Sequence, residues 1–129
     1  MHEETFMIVN RHKKLGGKAR RKKRFLTAGA GVAAVAARTN QVEQQWSWLE
    51  CEGKMFLSNG NYGLLHVDAR RVLGQSTEGS EIHYDPKTGA LQEVASGRVA
   101  RMVKANTTVS MVKKFKPKLP YKWDLVYVN

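Results

Sequence analysis

Residues 11–24 read RHKKLGGKARRKKR, and the thirteen residues after them, 25–37, carry no charge. The first stretch holds nine cationic side chains, which no core can take in without partners. The second stretch must be covered, by protein or by lipid. A chain with this junction has to solve both problems within forty residues of its start, and that limits what it can fold into.

The charge is uneven elsewhere too. Lys and Arg number 22 against 11 Asp and Glu, for a net +11. Residues 1–24 carry +7, residues 38–97 carry −3, and residues 98–129 carry +7. Two basic ends thus flank a mildly acidic middle, a pattern that suits contact with nucleic acid or another anionic surface. The hydrophobic fraction of 42% is that of a folding chain.

Gly16-Gly17 interrupts any helix in the basic stretch, so residues 1–24 read as an extended basic arm. Ahead of it, Phe6-Met7-Ile8-Val9 is a short apolar run, suited to a lone strand or a docking peptide. From Lys18 onward Ala, Arg, Lys, Leu and Gln favour helix. Val35, Val42, Trp46 and Leu49 are spaced 7, 4 and 3 apart, on one helical face. Gly29 and Ala33 form a small-residue pair that allows close helix packing. The spacing predicts an Ala/Gly-rich helix within residues 25–50, single or broken near Gly29–Gly31 or Thr39–Asn40. Trp46 and Trp48 would anchor it to the rest of the chain.

Residues 51–129 read as a small antiparallel β domain. Asn59-Gly60 supplies a type I′ turn between strands at 54–58 and 61–67. Asp85-Pro86-Lys87-Thr88-Gly89 turns a second hairpin, with Pro86 in a type I turn and Gly89 closing it. A third hairpin is expected to turn at Asn106, and residues 122–128 form the last strand. The expected core comprises Phe56, Leu64, Val67, Ile82, Tyr84, Leu91, Val94, Val99, Val103, Val109, Met111, Leu125 and Tyr127. The fold class predicted is therefore α+β: a basic arm and helix, then a small antiparallel barrel or sandwich. No internal repeat is evident.

The candidate nucleic-acid contacts fall in two clusters. The first is Arg11, Lys13, Lys14, Lys18, Arg20, Arg21, Lys22, Lys23 and Arg24. With no aromatic residue among them, they suit backbone-directed, sequence-tolerant binding driven by counterion release. The second is Lys113, Lys114, Lys116, Lys118 and Lys122, interleaved with Phe115, Tyr121 and Trp123. Exposed rings there would suit single strands, whereas buried rings would leave only the lysines as contacts.

Other chemistries have little to work with. Cys51 is a lone cysteine, so no intrachain disulfide or cysteine-based metal site can form, and a small buried hydrophobe is the expected role. The four histidines show no metal-ligand spacing. No serine elbow or phosphate-binding glycine loop is present, so neither an enzyme nor a cofactor is expected. The basic-then-apolar order of residues 11–37 resembles a secretory signal, and Arg20-Arg21 before Phe25-Leu26 resembles a twin-arginine signal. Three basic residues intervene where that motif has one, and thirteen apolar residues are too few to span a bilayer.

The expected function is that of a non-enzymatic structural protein in a virion or ribonucleoprotein particle. Its arm would contact nucleic acid, and its helix and β domain would contact other protein subunits. Two alternatives stand beside it. One is an exported or membrane-associated β domain with an N-terminal signal or anchor. The other is a free single-strand-binding barrel.

Overall fold

The computed structural model describes residues 4–15, 21–29, 34–36, 39, 41–68, 71–73, 78–103 and 109–128, with backbone alone for 13–15, 21–23, 34–36 and 71–73. Among these residues there is no α-helix. Their strands are β1 (Thr5–Leu15), β2 (Arg21–Thr27), β3 (Ala34–Ala36), β4 (Ser47–Cys51), β5 (Lys54–Asn59), β6 (Gly63–Leu64), β7 (His66–Asp68), β8 (Arg71–Leu73), β9 (Ile82–Asp85), β10 (Ala90–Glu93), β11 (Val99–Met102), β12 (Val109–Val112) and β13 (Trp123–Val128). Two short 3-10 turns, Val42–Gln44 and Leu119–Tyr121, precede β4 and β13.

This corrects the α+β expectation. Residues assigned to an arm and a helix instead form β1, β2 and β3, paired as two antiparallel hairpins. Helix propensity gives way here to two-sided burial. Phe25 and Leu26 are adjacent, point to opposite faces of β2, and are both buried, at 5% and 2% exposure. The supposed helical face does not exist either: Trp46 is fully buried while Val42 and Leu49 are exposed. Of the Gly29/Ala33 pair, Ala33 lies outside the described residues, as does the expected turn at Asn106.

Six strands are arranged as a ring, with β5 packed beside β9 rather than paired to it. β13 pairs with β1, from Thr5 opposite Val128 to Asn10 opposite Trp123. Phe6 bridges to Trp46 at the head of β4, β4 pairs with β5, and β9 pairs with β10. Trp123 then donates its amide to the Gly89 carbonyl at 2.8 Å, which joins β13 to the start of β10. The ring is thus three hairpins, β4–β5, β9–β10 and β13–β1, the last made from the two ends of the chain. Three further hairpins, β2–β3, β7–β8 and β11–β12, are appended to it, and β8 meets β12 at Arg71 and Ser110.

Among the described residues the larger core cluster draws on Phe6, Ile8, Leu26, Trp46, Leu57, Ile82, Leu91, Met102, Met111 and Trp123 among others, and a smaller one gathers Met7, Val9 and Phe25. Of the residues expected inside, Val94 and Tyr127 are exposed, and Phe56, Leu64, Tyr84, Val103 and Leu125 are only half-buried. The two buried tryptophans play matching parts. Each follows a 3-10 turn. Trp46 donates its indole N–H to the Leu26 carbonyl and Trp123 to the Ala100 carbonyl, both at 3.1 Å.

Polar side chains lock the 3-10 turns onto this core. The Asn59 amide donates to the carbonyls of Val42 (2.9 Å) and Gln45 (3.0 Å), and its oxygen accepts from the amides of Asn61 and Tyr62. Asn10 does the same for the second turn: it donates to the Pro120 carbonyl at 3.0 Å and accepts from the His12 amide at 2.8 Å. Asn59 is therefore a buried clamp rather than the first residue of a type I′ turn. The pair of residues with positive φ that such a turn requires is Glu52-Gly53, at 53° and 78°, joining β4 to β5. That turn leaves Cys51 exposed, contrary to the buried role expected of it. The Asp85–Gly89 turn forms between β9 and β10, with Gly89 at φ 78°. A Cβ at Gly89 would lie 3.1 Å from the Trp123 nitrogen, so the closure of the ring needs glycine there.

Replacing Asn59 with Ala strands two carbonyls and two amides beside the core, and a buried polar group left unpaired costs about 1–3 kcal/mol. We expect Asn59→Ala to lower unfolding stability by about 3 kcal/mol, while exposed Asn61→Ala changes it by less than about 0.5 kcal/mol. Urea midpoints at constant m-value measure both.

Candidate nucleic-acid interface

The fold turns the first basic cluster into a hairpin that grows out of the core. In β1, Phe6 and Ile8 are fully buried, and the same strand runs on through Arg11, Lys13 and Lys14. Arg21, Lys22, Lys23 and Arg24 lie on β2, with Arg24 half-buried. Lys18 and Arg20 lie outside the described residues. The register sets Asn10 opposite Arg24, Lys14 opposite Lys22 and Leu15 opposite Arg21, with an irregularity between Asn10 and Lys14. Like charges at directly opposed positions weaken a strand pair. An anion beside the hairpin would relieve that cost.

The second cluster lies along the segment between β12 and β13. Lys113, Lys114, Lys116 and Lys118 are exposed, and Lys122 is half-buried. This segment is tied to the root of the basic hairpin. Arg11 donates its amide to the Lys122 carbonyl at 2.8 Å, and the Asn10 side chain holds the Pro120 carbonyl. Two clusters about a hundred residues apart in the chain thus meet at Asn10–Arg11.

The rings of the second cluster are not a stacking surface. Trp123 is 1% exposed and Tyr121 7%, and Phe115 packs edge-on against Tyr121 with ring centres 6.0 Å apart. The lysines are the part of the segment that solvent reaches. One cation was missed by sequence reasoning: the Arg101 guanidinium lies over the Tyr121 ring, 5.7 Å from its centre. Nothing local marks Arg101, because the ring it meets comes from a turn twenty residues away.

An open cleft of about 590 Å³ adjoins the hairpin root. Each of the three ring hairpins contributes to its lining: Trp48 and Met55 from β4–β5, Tyr84 and Pro86 from β9–β10, and Tyr127, Leu125 and Asp124 with Arg11 from β13–β1. Arg11 donates from Nε to Asp124 Oδ1 at 2.9 Å. Tyr84 donates its hydroxyl to the Trp123 carbonyl at 2.8 Å. Burial, and next the nearby Asp124 carboxylate, push the Tyr84 phenol above its ordinary 10.0, while Arg11 acts the other way.

A phenol with a raised folded-state pKa contributes stability below its unfolded pKa and loses it as pH rises through the folded value. Spectrophotometric titration should therefore show Tyr84 contributing a phase above the ordinary tyrosine range. Tyr84→Phe should abolish that late phase and, by leaving the Trp123 carbonyl short of a donor, cost about 1 kcal/mol at neutral pH. A titration unchanged in Tyr84→Phe would contradict this placement.

No family model matches the chain, and no curated protein matches it. Among solved structures it is similar to a designed 3-fold symmetric protein, ThreeFoil, at 18% identity and a TM-score of 0.73, over 95% of this chain and 97% of that one. At that identity the likeness speaks to fold alone. It agrees with the set of three ring hairpins and three appended hairpins, and the fold is β-trefoil-like.

Proposed function

We propose that this protein is a non-enzymatic component of a nucleic-acid-containing assembly, gripping the nucleic-acid backbone through one basic face. One observation supports the proposal most: the 2.8 Å hydrogen bond from the Arg11 amide to the Lys122 carbonyl, which sets the basic hairpin beside the lysine-bearing segment. Each of the two chain ends that meet there carries +7. Cations held on a folded surface lose less freedom on binding than cations on a loose arm, so more of their attraction appears as affinity. Contacts to phosphates fix position without reading sequence, so binding should be tolerant of sequence and steeply salt-dependent. The expected helix that would have packed against neighbouring subunits is absent from this proposal. Protein contacts would have to use strand and loop surfaces instead.

Two sets of variants test it. Reversing the charge of Arg20, Arg21, Lys22, Lys23 and Arg24 together should abolish binding to a generic duplex or single strand at moderate salt. Lys116→Glu with Lys118→Glu should weaken binding to all sequences alike and lower the salt slope by about 2, near one unit per phosphate contact. Unchanged affinity in both sets would overturn the proposal. Membership of an assembly is tested separately, by whether the protein from its native source co-sediments with nucleoprotein particles.

A further inference from the structure

Arg11 belongs to two features at once. It opens the basic hairpin, and it lines the cleft between the three ring hairpins. Any polyanion lying along the hairpin root would therefore pass the cleft entrance. What the cleft offers there is not more positive charge, because Arg11 is already paired with Asp124. It offers rings and a donor–acceptor pair.

The rings are fixed. Tyr127 is 53% exposed, unusually open for a large aromatic, and Trp48 is half-buried. Both rest on the ring of Phe6, which is fully buried: Tyr127 edge-on with centres 5.5 Å apart, Trp48 tilted at 5.8 Å. A single core residue thus sets the positions of two of the cleft's aromatic residues. Met55 and Leu125 add apolar lining, and the Arg11 guanidinium and Asp124 carboxylate stand at the polar side. The volume of about 590 Å³ falls within the range of small-molecule sites.

A flat heterocycle with hydrogen-bonding edges matches this lining: its faces meet the rings, and its edge meets a donor and an acceptor side by side. A duplex cannot present such a group without opening, whereas a single strand can turn one base out. We propose that the cleft takes one unstacked nucleobase of a single strand whose phosphates lie along the basic hairpin. This rests on the backbone-binding proposal and adds base contact and strandedness to it.

The test compares strands that differ only in their bases. The full-length protein is titrated with a short single-stranded DNA of mixed sequence, the matching RNA, and an abasic DNA of equal length and charge. Affinity and tryptophan fluorescence are read together. Trp46 and Trp123 are buried at 0% and 1% exposure, so quenching on binding reports Trp48. Stacking of one base predicts a gain of about ten-fold over the abasic strand for DNA, RNA or both, with quenching that the abasic strand does not cause. Tyr127→Ala should remove that gain and leave abasic binding unchanged. Asp124→Asn, which keeps the shape of the side chain, should reduce it.

Equal affinity for base-bearing and abasic strands, without quenching, would overturn the cleft assignment and leave the backbone proposal standing. So would Tyr127→Ala weakening both strands equally. If a partner protein's side chain is the true occupant, base-bearing and abasic strands will bind alike, which is the same overturning result. Failure of every strand and of a duplex of the same sequence to bind would overturn both proposals together, whereas binding of the duplex alone would overturn the cleft assignment only.

Discussion

The pairing of the first strand with the last is the contact on which the rest of the molecule depends. From Thr5 opposite Val128 to Asn10 opposite Trp123, β1 and β13 make one hairpin of the ring without a connecting turn. The other two ring hairpins are closed locally, by Glu52-Gly53 and by residues 86–89. This one is closed only by packing, so its loop entropy is that of nearly the whole chain. It carries correspondingly more reinforcement. Phe6 and Ile8 are wholly buried, Asn10 holds the Pro120 carbonyl, the Arg11 amide holds Lys122, and Arg11 pairs with Asp124 across 113 positions.

The other recurring device is a large side chain at the head of a ring strand whose polar edge closes a distant carbonyl. Trp46 and Trp123 fill that place in two of the three units, and Ile82 opens β9 in the third. An indole fills volume and donates one hydrogen bond, which suits the point where an appended hairpin leaves the ring. The third unit uses a different arrangement: the Ser80 hydroxyl accepts from the Val67 amide at 2.8 Å. The geometry repeats while the residues do not, because burial and hydrogen-bond satisfaction can be met by different chemistries.

Much of the local structure was legible in the residues. Asp85, Pro86 and Gly89 specify their turn by side-chain bonding, a fixed φ and a positive φ, all within five positions. The exposure of Lys113, Lys114, Lys116 and Lys118 was legible because cations stay near water whatever the fold. The stretch after Arg24 was not. Its alanines favour helix by a few tenths of a kcal/mol each, and that preference is outweighed once Phe25 and Leu26 can be buried on both faces of β2. Asn59 misled only as to the kind of turn. β5 does turn back onto β6 after it, through Gly60, Asn61 and Tyr62, but with the Asn59 oxygen accepting from the amides of Asn61 and Tyr62 and its amide enclosed by the carbonyls of Val42 and Gln45. The cleft was beyond reach of the sequence altogether, since its walls come from residues 11, 48, 55, 82–84, 86, 124, 125 and 127, brought together only by the fold.

Placing the basic run on a strand pair changes its physics. A loose arm tolerates its own repulsion by spreading, but a hairpin holds Lys14 opposite Lys22 at a fixed register. That repulsion is a standing cost to the folded state, borne by the core through the continuous strand β1. A polyanion that relieved it in the folded chain, as proposed, would favour that state over the unfolded one and stabilise the fold by mass action. On the proposed reading, the same register that makes the hairpin costly alone would couple its folding to a bound polyanion.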